Sequence, residues 1–263
     1  MASYLDRYLQ GEHQRVYDEL LALGEVSLEP SVHAEALAVM NEIMRRVRYN
    51  VEHILLPKLH AIDYRFGDGM LDEPDKLSDT QRAAVLAKYP LFLPPDPEAP
   101  HLLQTIEQIV GRPIPLSLKC WYQQIGTVNL IGAFPPALIR AGAQAFPQHY
   151  KRGYTLDPLY IEQVEQVLKE VQFEFTPTEY EYGWVLPLSL DGEFKYGYSG
   201  GGSYGLALAS NVVDVFFRGG KHTAPFVDYL RFCLKQGGFP GLGEYITIPE
   251  NTLHFLTKDL LPF

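Results

Sequence analysis

The feature that most constrains this fold is a short helix that runs directly into a strand, at residues 114–132. Pro115 stands where the helix begins, a position at which its missing N–H costs nothing. Apolar side chains then recur at steps of three and four residues, which predicts one buried face made of Leu118, Trp121, Tyr122 and Ile125. Gly126 occupies the position of a left-handed C-cap, and residues 127–131 alternate before Gly132, so the chain returns at once as a strand.

Composition places the chain among ordinary globular proteins. Of its 263 residues, 46% are hydrophobic. Its two cysteines, Cys120 and Cys233, fall on or beside apolar helix faces, which favours reduced, buried thiols over a disulfide or a metal site. The start has no basic region ahead of an apolar core, and no run reaches the roughly 18 apolar residues of a membrane span. These features predict a cytoplasmic protein without a membrane segment.

Net charge is −10, and the acidic surplus is concentrated in one stretch. Between Asp157 and Asp214, ten acids stand against two bases, Lys169 and Lys195, which is a local balance of −8. This balance argues against a nucleic-acid binder, because phosphate contacts need clustered Lys and Arg, and it would steer a basic protein partner towards this half. A solvated acidic face that only aids solubility explains the same count.

The chain divides at a proline-rich segment, with prolines at positions 90, 94, 95, 97 and 100. Helical patterns dominate before it, including a long amphipathic helix from Pro30 to about Ile62 that Pro57 should kink or end. We predict an N-terminal helical segment at residues 1–92 and a second domain at residues 101–263. The proline-rich segment is equally consistent with a surface loop.

The second part combines helices with strands. Asp157 is predicted as the N-cap of a helix, residues 180–188 alternate as a strand, and Asp191-Gly192 is typical of a hairpin turn. The strands predicted after this turn are a returning strand through Phe194, Tyr196 and Tyr198 and strands near 204–209 and 212–217. Helices are predicted from Thr223 or Ala224 and from 249 to 258. Consecutive strands joined by tight turns predict a meander. The expected fold is therefore α+β: an antiparallel meander sheet packed with helices, preceded by an N-terminal all-helical segment.

Catalytic and ligand-binding motifs are weak in this sequence. Gly197-Tyr-Ser199-Gly-Gly201 fits the G-x-S-x-G pattern of a serine hydrolase, but that serine needs a helix after it, and glycines and another strand follow instead. The glycine run lacks the Lys-Ser/Thr ending of a phosphate-binding loop, and no metal-ligand motif occurs. We therefore expect no enzymatic activity, no cofactor and no metal, with a hydrolase at Ser199 as a minor alternative.

The predicted partner-binding surface combines acids with tyrosines, because aromatic side chains beside charged ones are typical of protein interfaces. Its residues are Glu179, Tyr180, Glu181, Tyr182, Asp191, Glu193, Tyr196 and Tyr198. Tyr182 and Trp184 are equally compatible with a buried position in the core. A second hypothesis is an intracellular regulatory scaffold, in which the N-terminal helices bind one partner and the sheet domain binds another.

Several segments together resemble the SUKH superfamily, which contains the yeast cell-wall-assembly regulator domain and many bacterial immunity proteins. The segments are Ile114–Gly126, Asp157-Pro-Leu159, Lys195-x-x-x-Ser-Gly-Gly201, Phe226–Arg231 and Gly237–Gly241. The resemblance covers about residues 100–263 and has no counterpart for roughly the first 90. It implies an α+β fold with an antiparallel sheet, no cofactor and no catalytic set. It also implies that the protein binds other proteins, and for a bacterial member that it neutralises a toxin, often a nuclease.

Overall fold

The computed structural model describes residues 2–67, 78–134, 138–139, 156–174, 185–192, 195, 202–208, 213–219, 222–243 and 246–263. Within these ranges helices combine with antiparallel sheets, and the first part is helical. The predicted α+β fold with its N-terminal helical segment is confirmed.

The N-terminal part is built from helices that follow one another closely. They are α1 (Tyr4–Leu9), α2 (His13–Ala22), a 3₁₀ turn (Gly24–Leu28), α3 (Pro30–Tyr49), a π-helical turn (Asn50–Leu55), α4 (Leu56–Ala61) and α5 (Asp79–Lys88). The long helix that the periodicity predicted therefore extends to Ala61, and its interruption is the π-helical turn ahead of Pro57. A wider turn accommodates the proline because its ring would clash with a carbonyl one regular turn earlier.

The central unit is α7 (Leu116–Gln124), which follows α6 (Ala99–Val110) and leads into β3 (Thr127–Asn129). All four side chains of its predicted apolar face are buried, and Pro115 is the N-cap rather than the first helical residue. Gly126 has φ of +90°, and a Cβ at this position would lie 2.3 Å from the carbonyl oxygen of Leu93. Only glycine fits here, because the strand before α6 approaches the helix end so closely.

Short strands tie the helices together. They are β1 (Arg65–Phe66) with β4 (Gly132–Ala133), β2 (Phe92–Leu93) with β3 and β6 (Tyr160–Ile161), and β5 (Leu138–Ile139) with β11 (Ile246–Thr247). The largest sheet has four antiparallel strands: β7 (Val185–Leu190), β8 (Ser203–Ala207), β9 (Phe216–Gly219) and β10 (His222–Pro225). Each pairs with the next along the chain, so the predicted meander is confirmed.

Three helices complete the chain: α8 (Val164–Glu174), α9 (Phe226–Lys235) and α10 (Glu250–Thr257). Their apolar faces pack inwards; Val164, Val167 and Val171 of α8 are almost completely buried. Helix α9 starts two to three residues later than predicted, because Thr223 and Ala224 pair with β9 as part of β10.

Two local predictions, a helix N-cap and a hairpin turn, are wrong. Asp157 does not cap a helix: it has φ of +46°, and the chain forms β6 before α8 begins at Val164. Asp191-Gly192 is not a two-residue hairpin either, since Leu190 pairs with Ser203 and the amide of Lys195 donates to the carbonyl of Asp191 over 3.0 Å. The side chains of Asp157 and Lys195 pair with each other, a contact between residues that are 38 positions apart in sequence.

One hydrophobic cluster continues across the proline-rich segment. It contains Val16 and Ile43 from the N-terminal helices together with Trp121 and Phe226 from the second part. The division at residues 1–92 and 101–263 stays a prediction.

Cys120 and Cys233 are both buried free thiols. Among the described residues, no helix has the length and apolar character needed to cross a membrane.

Candidate functional site

Most of the predicted partner-binding surface lies outside the described residues. This applies to Glu179, Tyr180, Glu181, Tyr182, Glu193, Tyr196 and Tyr198, as well as to Trp184 and Ser199. Asp191 is described, and its carboxylate accepts a hydrogen bond from the amide of Gly202. This contact joins the two ends of the connection between β7 and β8, so Asp191 has a structural role beside any role in binding.

Asp157 is an internal acid rather than a surface one. The Nζ of Lys195 lies 2.6 Å from its Oδ1, and the Lys195 side chain is fully buried. The ammonium group also lies 5.1 Å from the ring centroid of Tyr204 on β8, within cation–π range. A buried lysine without an anion is strongly destabilising, so this pair fixes the loop that carries Lys195 against the segment that leads into β6.

Asp214 is the second internal acid, and its exposed fraction is 2%. Its carboxylate accepts four hydrogen bonds: from the hydroxyls of Tyr17 (2.6 Å) and Ser117 (2.7 Å), and from the amides of Val215 (2.8 Å) and Val227 (3.0 Å). Burial raises the pKa of Asp214, and these four donors act in the opposite direction. The residue joins α2, α7, the approach to β9 and the N-terminus of α9, where a negative charge is favourable.

Removing these two internal acids and Lys195 from the acidic stretch leaves eight acids against Lys169. By sequence, the balance of the remaining residues is −7 instead of −8, so the surplus survives. Among the described residues, Glu165 and Glu170 lie on α8 and Glu162 lies just before it, and all three are partly exposed.

Glu165 shares a small cleft with the proline-rich segment. Its carboxyl hydrogen-bonds that of Asp96, which raises the pKa of Glu165, and burial adds to the rise. The same contact lowers the pKa of Asp96, whose Oδ1 also accepts from the amide of Glu98 over 2.8 Å. The two carboxyl groups lie beside a cavity of about 280 Å³ that is lined by Pro94, Pro95 and Tyr122 among others. The pair extends the acidic surface of α8 onto the proline-rich segment.

The sequence did not predict the ion pair of Asp157 with Lys195 or the four hydrogen-bond donors around Asp214. A buried lysine has no sequence pattern of its own, and Asp214 looked like one more acid in an acidic run. Among the residues that the structure describes, no three His, Cys, Asp or Glu side chains are grouped as a metal site would require.

Compared with protein-family models, with curated proteins and with solved structures, the chain matches none.

Proposed function

We propose that this protein is a non-enzymatic, cytoplasmic protein-binding module whose acidic surface engages a basic protein partner. The observation that carries the proposal is the surplus of ten acids against two bases between residues 157 and 214, of which Asp157, Asp214 and Lys195 are used inside the fold. Such a surplus raises the rate of encounter with a cationic surface and excludes acidic competitors.

The arrangement of the described acids supports this proposal. Asp157 and Asp214 are bound within the protein by Lys195 and by four hydrogen-bond donors, whereas Glu162, Glu165 and Glu170, on and just before α8, are partly exposed. Tyrosines 180, 182, 196 and 198 are the proposed source of most of the affinity, because aromatic side chains dominate interface energies.

The resemblance to SUKH immunity proteins narrows the proposed partner to a toxin domain, with a nuclease as the expected class. A nuclease domain presents a basic surface to its phosphate substrate. An acidic protein that covers that surface would block access of the nucleic acid without any chemistry of its own. No cofactor or metal is needed for this mode of action.

A charge-reversal experiment tests the electrostatic part of the proposal. The test variant changes Glu179, Glu181 and Glu193 to Lys and leaves Asp191 in place, because Asp191 holds the Gly202 amide. The matched control changes three exposed acids elsewhere to Lys, namely Glu25, Glu29 and Glu250, so that the net charge is the same in both variants.

Each protein is immobilised and exposed to lysate of the source organism, and bound proteins are eluted with rising salt and identified by mass spectrometry. We expect wild type and control to retain a basic protein that the test variant releases. Retention of the same proteins by wild type, control and test variant would exclude the acidic surface as the binding site.

A growth assay separates the immunity role from the regulatory scaffold. A captured partner that stops growth when expressed alone, and does not when co-expressed with this chain, would support the immunity role. A harmless partner would favour the regulatory scaffold.

A further inference from the structure

The cleft of about 280 Å³ between the proline-rich segment, the end of α7 and the start of α8 has the size of a site for one side chain. Pockets for drug-sized ligands begin at roughly 300 Å³, so this cleft is too small for most of them. Its charged lining consists of Asp96 and Glu165, and no Lys, Arg or His is among the described residues lining it. A cleft with this lining attracts cations.

The two carboxyl groups reach the cleft from different parts of the chain. Asp96 belongs to the proline-rich segment and Glu165 to the first turn of α8, and both residues are partly exposed. Two carboxyl groups in contact repel each other when both are ionised, and a cation between them removes the repulsion. Lys169 does not supply this cation, because among the groups that change the pKa of Glu165 it has the smallest influence.

The hydroxyl of Thr127 is a third polar group at the cleft. Thr127 begins β3, lines the cleft and is only 7% exposed. Its backbone lies opposite Leu93 of β2, but its hydroxyl has no hydrogen-bond partner among the described residues. It differs from the hydroxyls of Tyr8 and Tyr229, which are sealed from solvent. Side-chain polar groups that are this buried are normally satisfied, so the unpaired Thr127 hydroxyl indicates a ligand that supplies its partner.

The other walls of the cleft are mainly apolar. Pro94 and Pro95 form one wall, and Tyr122, which is 2% exposed, belongs to another. The Tyr122 ring is fixed, since its hydroxyl donates to the carbonyl of Glu162 over 3.0 Å. Prolines have a restricted backbone, so these walls are preformed. Apolar walls beside two carboxyl groups suit a long basic side chain, whose stem packs on apolar surface while its head carries the charge. A hard metal ion would instead need oxygen ligands on all sides.

We propose that this cleft receives a lysine or arginine side chain of the basic protein partner. The stem of that side chain lies against the prolines and Tyr122, and its cationic head donates to Asp96, Glu165 and the Thr127 hydroxyl. This inference rests on the proposed function, and it adds the place at which one basic side chain of the partner enters. Both side chains have the necessary donors: an ammonium has three and a guanidinium has five.

An NMR titration of the isotope-labelled full chain with single blocked amino acids tests the proposal. The probes are N-acetyl-arginine amide and N-acetyl-lysine amide, and their neutral counterparts of similar shape are N-acetyl-citrulline amide and N-acetyl-norleucine amide. We expect one or both cations to shift the backbone amide signals of Thr127 and Gln163 saturably, and the neutral compounds to leave them in place. A response to arginine alone or to lysine alone would identify the side chain. Equal responses to cation and neutral compound, or no saturable response to either cation, would overturn the proposal.

Three variants locate the bound cation. Asp96→Asn and Glu165→Gln should each weaken binding about threefold, as expected for ion pairs at a partly exposed site. Thr127→Val keeps the shape of the side chain and should weaken binding about threefold through the lost hydrogen bond. Glu29→Gln removes the same charge at an exposed position before α3 and is the matched control, with the affinity of wild type. Unchanged affinity in both Asp96→Asn and Glu165→Gln would place the cation elsewhere and overturn the proposal.

This titration can fail independently of the proposed function. It uses single amino acids instead of a partner, and its variants leave Glu179, Glu181 and Glu193 unchanged. If a basic partner is captured from lysate but the blocked cations do not bind, the cleft proposal is wrong and the acidic surface remains. If the blocked cations bind but no basic partner is captured, the cleft is a cation site and the partner proposal is wrong.

Discussion

Asp214 and Arg231 are two buried charges beside and on α9, and their hydrogen bonding differs. The carboxylate of Asp214, at the N-terminus of α9, is surrounded by four donors. The guanidinium of Arg231, in the middle of α9, has two of its nitrogens occupied and one without a partner among the described residues. Tyr17 touches both, with its hydroxyl on Asp214 and its ring under Arg231.

The difference separates a buried charge whose hydrogen-bonding capacity is filled from one that keeps an unused donor. A buried ion whose hydrogen-bonding capacity is filled contributes specificity, because each partner must reach one place for the site to close. A buried ion with an unused donor is under-satisfied and contributes less. Asp214 therefore defines how α2, α7 and α9 meet, whereas Arg231 joins α9 to the last residues of the chain through its contact with Phe263.

The strongest test of this contrast is Asp214→Ala. The substitution leaves two hydroxyls and two amides without an acceptor in a dry interior, so we expect the free energy of unfolding to fall by about 4 kcal/mol or more. Urea denaturation followed by circular dichroism measures it. Glu250→Ala, which removes an exposed acid from the first turn of α10, is the control and should change stability by about 0.5 kcal/mol. A loss below about 1 kcal/mol for Asp214→Ala would show that the four-donor cluster does not hold the helices together.

The ion pair of Lys195 and Asp157 gives the next largest effect. Lys195→Met leaves a carboxylate of low exposure without its cation, and we expect a loss of about 3 kcal/mol. Adding Asp157→Asn to Lys195→Met should recover part of this loss, because no unpaired charge remains and Asn tolerates the left-handed backbone of this position. A double-mutant cycle of unfolding free energies gives the coupling. Additive single effects would mean that the two side chains do not stabilise each other.

Two tyrosines provide a matched comparison at smaller scale. Tyr17→Phe removes only the hydroxyl that binds Asp214 and should lower the free energy of unfolding by about 2 kcal/mol, as for a hydrogen bond to a charged group. Tyr8 is equally buried, but its hydroxyl has no partner among the described residues. Tyr8→Phe should therefore be neutral within about 0.5 kcal/mol, or stabilising. Equal losses in the two variants, measured by urea denaturation, would contradict the distinction between filled and unfilled polar groups.

The smallest expected effect is a pH dependence at His13. Because the folded state lowers the pKa of His13, the unfolded chain binds a proton more readily, and stability is lost as pH falls from its ordinary value near 6.5 through the lower folded value. His13→Gln removes this loss. The difference in unfolding free energy between wild type and variant should shift by a few tenths of a kcal/mol between pH 7.5 and pH 5, since solvent screens a partly exposed ring. A parallel pH profile in the two proteins would refute a neutral His13.

Local patterns predicted much of the architecture because they depend on neighbouring residues. Helix α7 with its four buried side chains, the long α3, the meander and the two buried thiols all follow from periodicity, prolines and glycines read along the chain. The prediction failed at Asp157, whose side chain pairs with Lys195, 38 positions away in sequence. Local propensity carries no information about such a partner.

The sequence by itself determined the fold class, the acidic surplus and the weakness of every catalytic motif, because each depends on residue types and their spacing. Only the tertiary structure decided which acids are internal and which buried donor lacks a partner among the described residues. The reason is physical: a charge acquires its role from the groups that surround it in space, and Tyr17, Asp214 and Arg231 come together only when α2 packs against α9. The acidic run could be counted from the sequence, but its two internal acids and their partners required the folded chain.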